Sequence, residues 1–152
     1  MNYVHKKRLL KLADFLDKLP RKKFNFTEVV SGQETPNKTL TCGSQACAIG
    51  WCPVVFPRLT EYHITSGWST AHNFLVVKMK GVDFDGGSLD SVTHIGEELF
   101  GLDYSESYAL FVPNNTQALG LGLRSLGDDA TPKQVAKNMR KLVDIKTKEA
   151  KK

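Results

Sequence analysis

The sequence predicts an α+β fold, in which three or four main helices pack on a short buried helix and a small antiparallel sheet. Apolar residues recur at helical spacing near both ends of the chain, whereas residues 58–80 alternate with the period of two typical of strands. Residues 41–57 combine cysteines, small residues and large apolar residues without any charge. We therefore expect this segment to lie at the centre of the fold.

Length and composition indicate one globular domain. The chain has 152 residues, of which 41% are apolar and 24% charged, and it can bury one hydrophobic core. We expect this domain to span residues 1–145, with a basic frayed tail at 146–152. No apolar run reaches the roughly 18 residues of a membrane helix, and the N-terminus lacks a secretory signal pattern. These features predict a cytoplasmic protein without a membrane partner.

The first predicted helix spans Val4–Leu19 and ends before Pro20. Its apolar residues share one face and most of its charged residues share the other, as in an amphipathic surface helix. The apolar face consists of Leu9, Leu12, Ala13, Leu16 and Leu19, and the charged face of Lys7, Lys11, Asp14 and Lys18. We expect the extended segment that follows to press Phe24 and Phe26 onto this helix.

The uncharged segment predicts a short buried helix over Gln45–Trp51. Ser44 can cap its start, and Pro53 prevents the helix from continuing. Since the start of a helix carries unpaired N–H groups and partial positive charge, residues 41–45 are a candidate anion site. The alternative is that Ser44 only caps the helix.

Two strands are predicted within 58–80, joined by a loop at 66–73. Gly86-Gly87 then form a turn, Ser88 caps the next helix, and its buried face is Leu89, Val92, Ile95 and Leu99 up to Gly101. Asp103 and Glu106 have the spacing of a capping box for a second helix that ends before Pro113.

After these two helices, the sequence predicts an irregular stretch and a closing helix. Four leucines tie the stretch at 114–129 to the core, namely Leu119, Leu121, Leu123 and Leu126. Thr131, Pro132 and Gln134 mark the start of the closing helix. Its predicted buried face is Val135, Met139, Leu142 and Val143, and we expect it to fray beyond Ile145.

Four ordered motifs carry a resemblance to a known group of proteins. They are LLKLADFLDKLP, CGSQACAIGW, LFGLDYSESYALFVP and ATPKQVAKNMRKLV. Together they resemble a family of short uncharacterised bacterial and bacteriophage proteins, and the resemblance covers the chain except for its middle. It implies a shared architecture, an origin in bacteria or phage, and the host cytoplasm if the chain is phage-encoded. It implies no activity.

Several kinds of chemistry are weakly supported by the residues. Cys42, Cys47 and Cys52 lack the close pairs of a structural zinc site, and their odd number argues against a disulfide framework. Cys42 near a helix start could act as a nucleophile, and His63 with Thr65 forms one H-x-T triplet where phosphoesterases of the two-histidine type need two. A cysteine- or histidine-dependent hydrolase therefore stays as an alternative, and an enzyme is the less favoured class.

Calcium and helix-turn-helix DNA binding are also disfavoured. The turn at Asp83 and Asp85 has His94 where an EF-hand loop needs glutamate. The helical pair at 88–111 presents no positive charge to DNA. No metal or cofactor is predicted.

Binding without catalysis is the favoured function. The candidate ligand is a nucleotide-like small anion, and a phage-encoded binder could sequester a host signalling nucleotide in this way. The predicted ligand-binding residues are Thr41, Gly43, Ser44, Gln45, Arg58, Tyr62, His63, Trp68 and Asn73. The other candidate is an adaptor for a host protein or nucleic acid that uses the basic first helix, because the net charge of +5 is concentrated near the ends of the chain.

Overall fold

The computed structural model describes residues 1–31, 45–66 and 73–151. It has the predicted α+β architecture. The helices are α1 (Tyr3–Lys18), α2 (Cys52–Val55), α3 (Ser88–Phe100), α4 (Tyr104–Phe111), α5 (Gln117–Gly120) and α6 (Pro132–Glu149), with 3-10 turns at Arg21–Lys23 and Ile49–Trp51. The strands are β1 (Val30–Ser31), β2 (Gln45–Ala46), β3 (Thr60–Ser66) and β4 (Asn73–Met79). Strands β1 and β2 form one antiparallel pair, and β3 and β4 form another.

Helix α1 forms where the sequence predicts it. The Asn2 side chain caps its start by accepting a hydrogen bond from His5 N at 2.8 Å. The predicted apolar face is buried at Leu9, Leu12, Ala13 and Leu16, all with 0% exposure. Burial of each leucine side chain contributes about 1.5–3 kcal/mol. This face anchors α1 to the core and leaves its lysine-rich side in solvent.

Helix α6 packs antiparallel to α1. Thr131 and Gln134 form the predicted capping box, and the predicted apolar face is buried. The helix continues to Glu149, four residues beyond the predicted end at Ile145. Lys6 of α1 donates to Thr147 Oγ1 at 3.2 Å, so the start of α1 lies beside the end of α6.

The central segment departs from the prediction of a helix over Gln45–Trp51. Gln45–Ala46 is a strand that pairs with β1, and Cys47 N donates to Glu28 O at 3.1 Å. Helical turns start only at Ile49, with Ala48 rather than Ser44 as N-cap, and Pro53 lies in the first turn of α2. Proline is tolerated there because first-turn N–H groups have no partner within the helix. Backbone hydrogen bonds to residues distant in sequence thus hold the first residues of the central segment in an extended conformation.

Strands β3 and β4 form the antiparallel pair that the alternation predicts. Helix α3 lies along the outer edge of β4, where Ser91 Oγ accepts from Val77 N at 3.0 Å and donates to Val77 O. His94 Nε2 accepts from Met79 N at 3.4 Å. These contacts satisfy backbone groups of β4 that would otherwise be open to another strand.

The corner between α3 and α4 agrees with the sequence in most details. Gly101 ends α3 at a φ of 61°, and Asp103 with Glu106 forms the predicted capping box of α4. Two details differ. The N-cap of α3 is Gly87, whose N–H donates to Asp90 Oδ2, rather than Ser88. Leu89 is exposed rather than buried, because the first turn of α3 projects beyond the core.

The stretch between α4 and α6 is only partly tied to the core in the predicted way. Leu123 and Leu126 are buried, whereas Leu119, in the short helix α5, is 64% exposed. The buried side chain of Asn138 holds the stretch to α6, since its Nδ2 donates to Arg124 O at 2.7 Å. This bidentate contact is completed by Arg124 N, which donates to Asn138 Oδ1 at 3.3 Å.

Candidate functional site

Of the candidate anion site at 41–45, the structure describes only Gln45. Thr41, Gly43 and Ser44 lie outside the described residues. Gln45 lies in β2, and its side-chain amide donates to Lys22 O at 3.0 Å. Because helical turns begin at Ile49, Gln45 is not at a helix start, and that part of the anion-site hypothesis is wrong.

Tyr62 is an internal structural residue in the fold. Its side chain is buried, and its hydroxyl donates to Gly50 O at 2.7 Å. Burial raises the pKa of this phenol, and the nearby thiols of Cys52 and Cys47 raise it further. The ring is therefore not open to stack on a ligand, contrary to the sequence-based expectation.

The Tyr62→Phe variant tests this structural role. We expect it to lower the free energy of unfolding by about 1–3 kcal/mol, because the buried Gly50 carbonyl loses its hydrogen-bond donor. Chemical denaturation of both proteins measures the difference. The matched control is Tyr3→Phe, since Tyr3 is 71% exposed and should tolerate loss of its hydroxyl. Equal stability of all three proteins would show that the Tyr62 hydrogen bond is unimportant.

The other predicted ligand residues are not brought together within the described part of the chain. Arg58 is exposed before β3, and His63 is half-buried on the face of the sheet opposite Tyr62. Trp68 lies outside the described residues, as does the side chain of Asn73. The Trp51 ring lies against the Phe15 ring, with 5.5 Å between the ring centroids, and its Nε1 donates to Ala46 O at 3.1 Å.

The described cysteines do not have the properties of nucleophiles. Cys47 and Cys52 are buried, and burial raises the pKa of Cys47 to about 11 and that of Cys52 well above its usual value. Cys42, the predicted nucleophile, lies outside the described residues. In residues 1–31, 45–66 and 73–151, no three His, Cys, Asp or Glu side chains form a group that could hold a metal ion.

The most prominent charged feature of the described surface is a set of seven exposed lysines on α1 and α6. We call this surface the basic face. It consists of Lys7, Lys11 and Lys18 on α1 and Lys133, Lys137, Lys141 and Lys148 on α6. None of the seven has an ion-pair partner among the described residues. Their charges are therefore available to an anionic partner.

An ion-pair network joins the two helices of the basic face. Arg140 of α6 contacts Asp14 at 2.8 Å and Asp17 at 2.6 Å. Asp14 lies on the same exposed side of α1 as the lysines, and Arg140 directly precedes Lys141. The network therefore lies between α1 and α6, the two helices that carry the lysines. It also pairs both carboxylates of α1, so that α1 contributes no unpaired negative charge.

The lysines of α6 are regularly spaced. Lys133, Lys137 and Lys141 follow each other at intervals of four residues, which places them on one side of the helix at a rise of about 6 Å per step. The sequence predicts the charged face of α1 and the basic tail after Ile145, but this row of lysines was not recognised from the sequence. The four-residue spacing was the signal that could have found it.

Comparisons with family models, curated proteins and solved structures find no match for this chain. The candidate site therefore depends on the geometry and charge of the chain itself. Among the helices of the described residues, none has the length and apolar character that crossing a membrane requires.

Proposed function

We propose that this chain is a non-enzymatic binding protein that holds the phosphate backbone of a nucleic acid on its basic face. The observation that supports the proposal is the set of seven exposed lysines on two antiparallel helices, none of which has an ion-pair partner among the described residues. Lysine binds phosphate as a flexible point charge, and each contact releases condensed counterions from the nucleic acid. Such binding requires no catalytic group and no preformed pocket.

The composition of the basic face favours nucleic acid over an acidic protein as partner. Protein interfaces are enriched in aromatic residues and depleted in lysine, because their affinity comes from buried apolar anchors. Among the described residues, α6 has no exposed large apolar side chain, and α1 exposes only Tyr3 and Val4 at its start. The face thus offers charge with little apolar surface, as phosphate binding requires.

The difference in charge between the helices supports the same proposal. Helices α3 and α4 contain no lysine or arginine, α3 exposes Asp90, Glu97 and Glu98, and Asp103 is exposed at the N-cap of α4. A polyanion is attracted to α1 and α6 and repelled by α3 and α4.

The earlier alternatives have less support from the described contacts. A nucleotide-like small anion was expected near a helix start at 41–45, and Gln45 lies in a strand instead. His63, the candidate catalytic histidine, has no hydrogen bond to a carboxylate among the described residues. Because the sequence resembles short bacterial and phage proteins, we propose a nucleic acid of a bacterial cell as the partner.

Salt dependence of binding tests the proposal. We expect affinity for short single-stranded and duplex oligonucleotides to fall steeply with salt, with a slope of log K against log salt of roughly −3 or steeper. Fluorescence anisotropy over a range of potassium chloride concentrations measures this slope. A polyglutamate peptide of matched charge is the control, and it should bind more weakly. Absence of nucleic-acid binding at low salt, or a slope near zero, would contradict the proposal.

A further inference from the structure

A groove of about 600 Å³ lies beside α1 and shares Lys7 and Lys11 with the basic face. Its volume is within the range of about 300–1,000 Å³ that is usual for ligand pockets. The groove is open to solvent, and its lining is mainly apolar with cations at its margin. The residues that line it are Lys7, Arg8, Leu10, Lys11, Asp14 and Phe56.

Two of the cations at the groove are held in place by backbone carbonyls. Lys11 Nζ donates to Val55 O at 3.1 Å and lies 5.3 Å from the centre of the Phe56 ring. Arg8 donates to Leu99 O at 3.3 Å, at the end of α3. An ammonium group has three donors and a guanidinium group five, so both side chains keep donors for an anion. Less side-chain entropy is lost on binding, because these positions are already constrained.

The one carboxylate of the groove is already paired. Asp14 accepts from Arg140 at 2.8 Å, so its negative charge is compensated. The net charge of the groove is therefore positive where Lys7, Arg8 and Lys11 lie. An anionic group is favoured at this margin.

The apolar part of the groove adds a requirement that phosphate alone does not meet. Leu10 is half-buried in α1, and the largely buried Phe56 also lines the groove. A ligand that fills the groove must present an apolar, compact group beside its negative charge. In a duplex the bases are stacked and paired inside, whereas a single strand can present an unstacked base next to its phosphate.

We propose that this groove takes one unstacked base of a single-stranded nucleic acid, whose adjacent phosphate contacts Lys7, Arg8 and Lys11. This inference rests on the proposed function and makes it more specific. The basic face binds the phosphate backbone along its length, and the groove adds a base contact that only a single strand supplies. The protein should therefore prefer single-stranded to duplex nucleic acid.

The test compares a short oligothymidylate with a strand of equal length and charge that contains only abasic residues. Anisotropy titrations at one fixed low salt concentration measure both affinities. We expect the base-bearing strand to bind the wild-type protein about tenfold more tightly than the abasic strand. If the two strands bind equally, the groove does not take a base and this inference is overturned, while the proposed function stands. If neither strand binds, the proposed function itself fails.

Two variants locate the base contact. Leu10→Gln removes apolar surface from the groove without changing charge, and the preference for the base-bearing strand should fall to within about twofold. Tyr104→Gln is the control, because Tyr104 is 52% exposed and stacks on Tyr108 in the acidic helix α4, away from the groove. The preference should be unchanged in this control. If folded Leu10→Gln protein keeps the preference for the base-bearing strand, the inference is overturned. If the variant does not fold, the comparison of the two strands with wild-type protein still tests the inference.

Discussion

The Gly50→Ala variant should be destabilised by about 3 kcal/mol or more, which is the largest single-site effect on stability that we expect from this fold. A Cβ atom at Gly50 would lie 1.8 Å from Val29 O, 2.6 Å from Ala46 Cβ and 2.9 Å from Val29 C. Two of these atoms belong to backbone and the third is attached directly to it. No flexible side chain can move aside, so the main chain itself must shift.

The expected clash is at the junction of several elements. Gly50 is buried in the 3-10 turn before α2, and its carbonyl accepts the Tyr62 hydrogen bond. The same short segment supplies Val55 O and Phe56, which hold Lys11 beside the groove. Displacing the turn should therefore weaken the core and also loosen the groove.

Chemical denaturation of Gly50→Ala and Gly120→Ala measures this effect against a matched substitution. The Cβ atom of alanine at Gly120 meets no atom of another part of the described chain within 4 Å, so its stability should change by less than about 0.5 kcal/mol. For a chain of this size, the Gly50 variant should melt roughly 6–12 °C lower than the wild type. A Gly50→Ala protein with the stability of the control would show that Val29 does not pack on this turn.

The parts of the fold that could be predicted from sequence are those specified by local signals. The starts of α4 and α6 carry capping boxes, and α1 has a regular apolar face followed by Pro20. Each signal lies within a few residues of the element that it specifies. The resulting contacts are therefore encoded in short stretches of chain.

The central segment could not be predicted in this way because its strand depends on distant partners. Ala46 pairs with Val30 and also forms a bridge to Phe24, and neither contact is visible in the local pattern. The small residues and Ser44 suggested a helix start instead. Tertiary hydrogen bonds thus override local propensity at this position.

The candidate site was predictable only in part for a similar reason. The lysines of α1 are evident as a charged face, and the row on α6 has an equally regular spacing. What the sequence does not show is that these faces lie side by side, since this depends on the antiparallel packing and on the Arg140 network. Tyr62 is the opposite case. The sequence predicts it as a ligand-binding residue, but its hydrogen bond to Gly50 O holds its side chain inside the fold.

Charge reversal on α6 should have the largest effect on binding. We expect the Lys137→Glu, Lys141→Glu double variant to lose about 100-fold in affinity for single-stranded nucleic acid at low salt, because two phosphate contacts are replaced by two repulsive charges. Both lysines are exposed and lie outside the groove at α1. The substitution therefore tests the basic face independently of the base contact.

The control for charge reversal is the Arg58→Glu, Lys80→Glu double variant, which makes the same change in net charge. Arg58 and Lys80 are exposed at one end of the β3–β4 pair, and both lie outside α1 and α6. Affinity should fall by no more than about threefold, which is the loss expected from overall charge alone. Anisotropy titrations at the same salt concentration compare the two variants. If the control loses as much affinity as the α6 variant, binding depends on net charge and not on the basic face. If only the α6 variant loses it, the row of lysines on α6 contacts the nucleic acid.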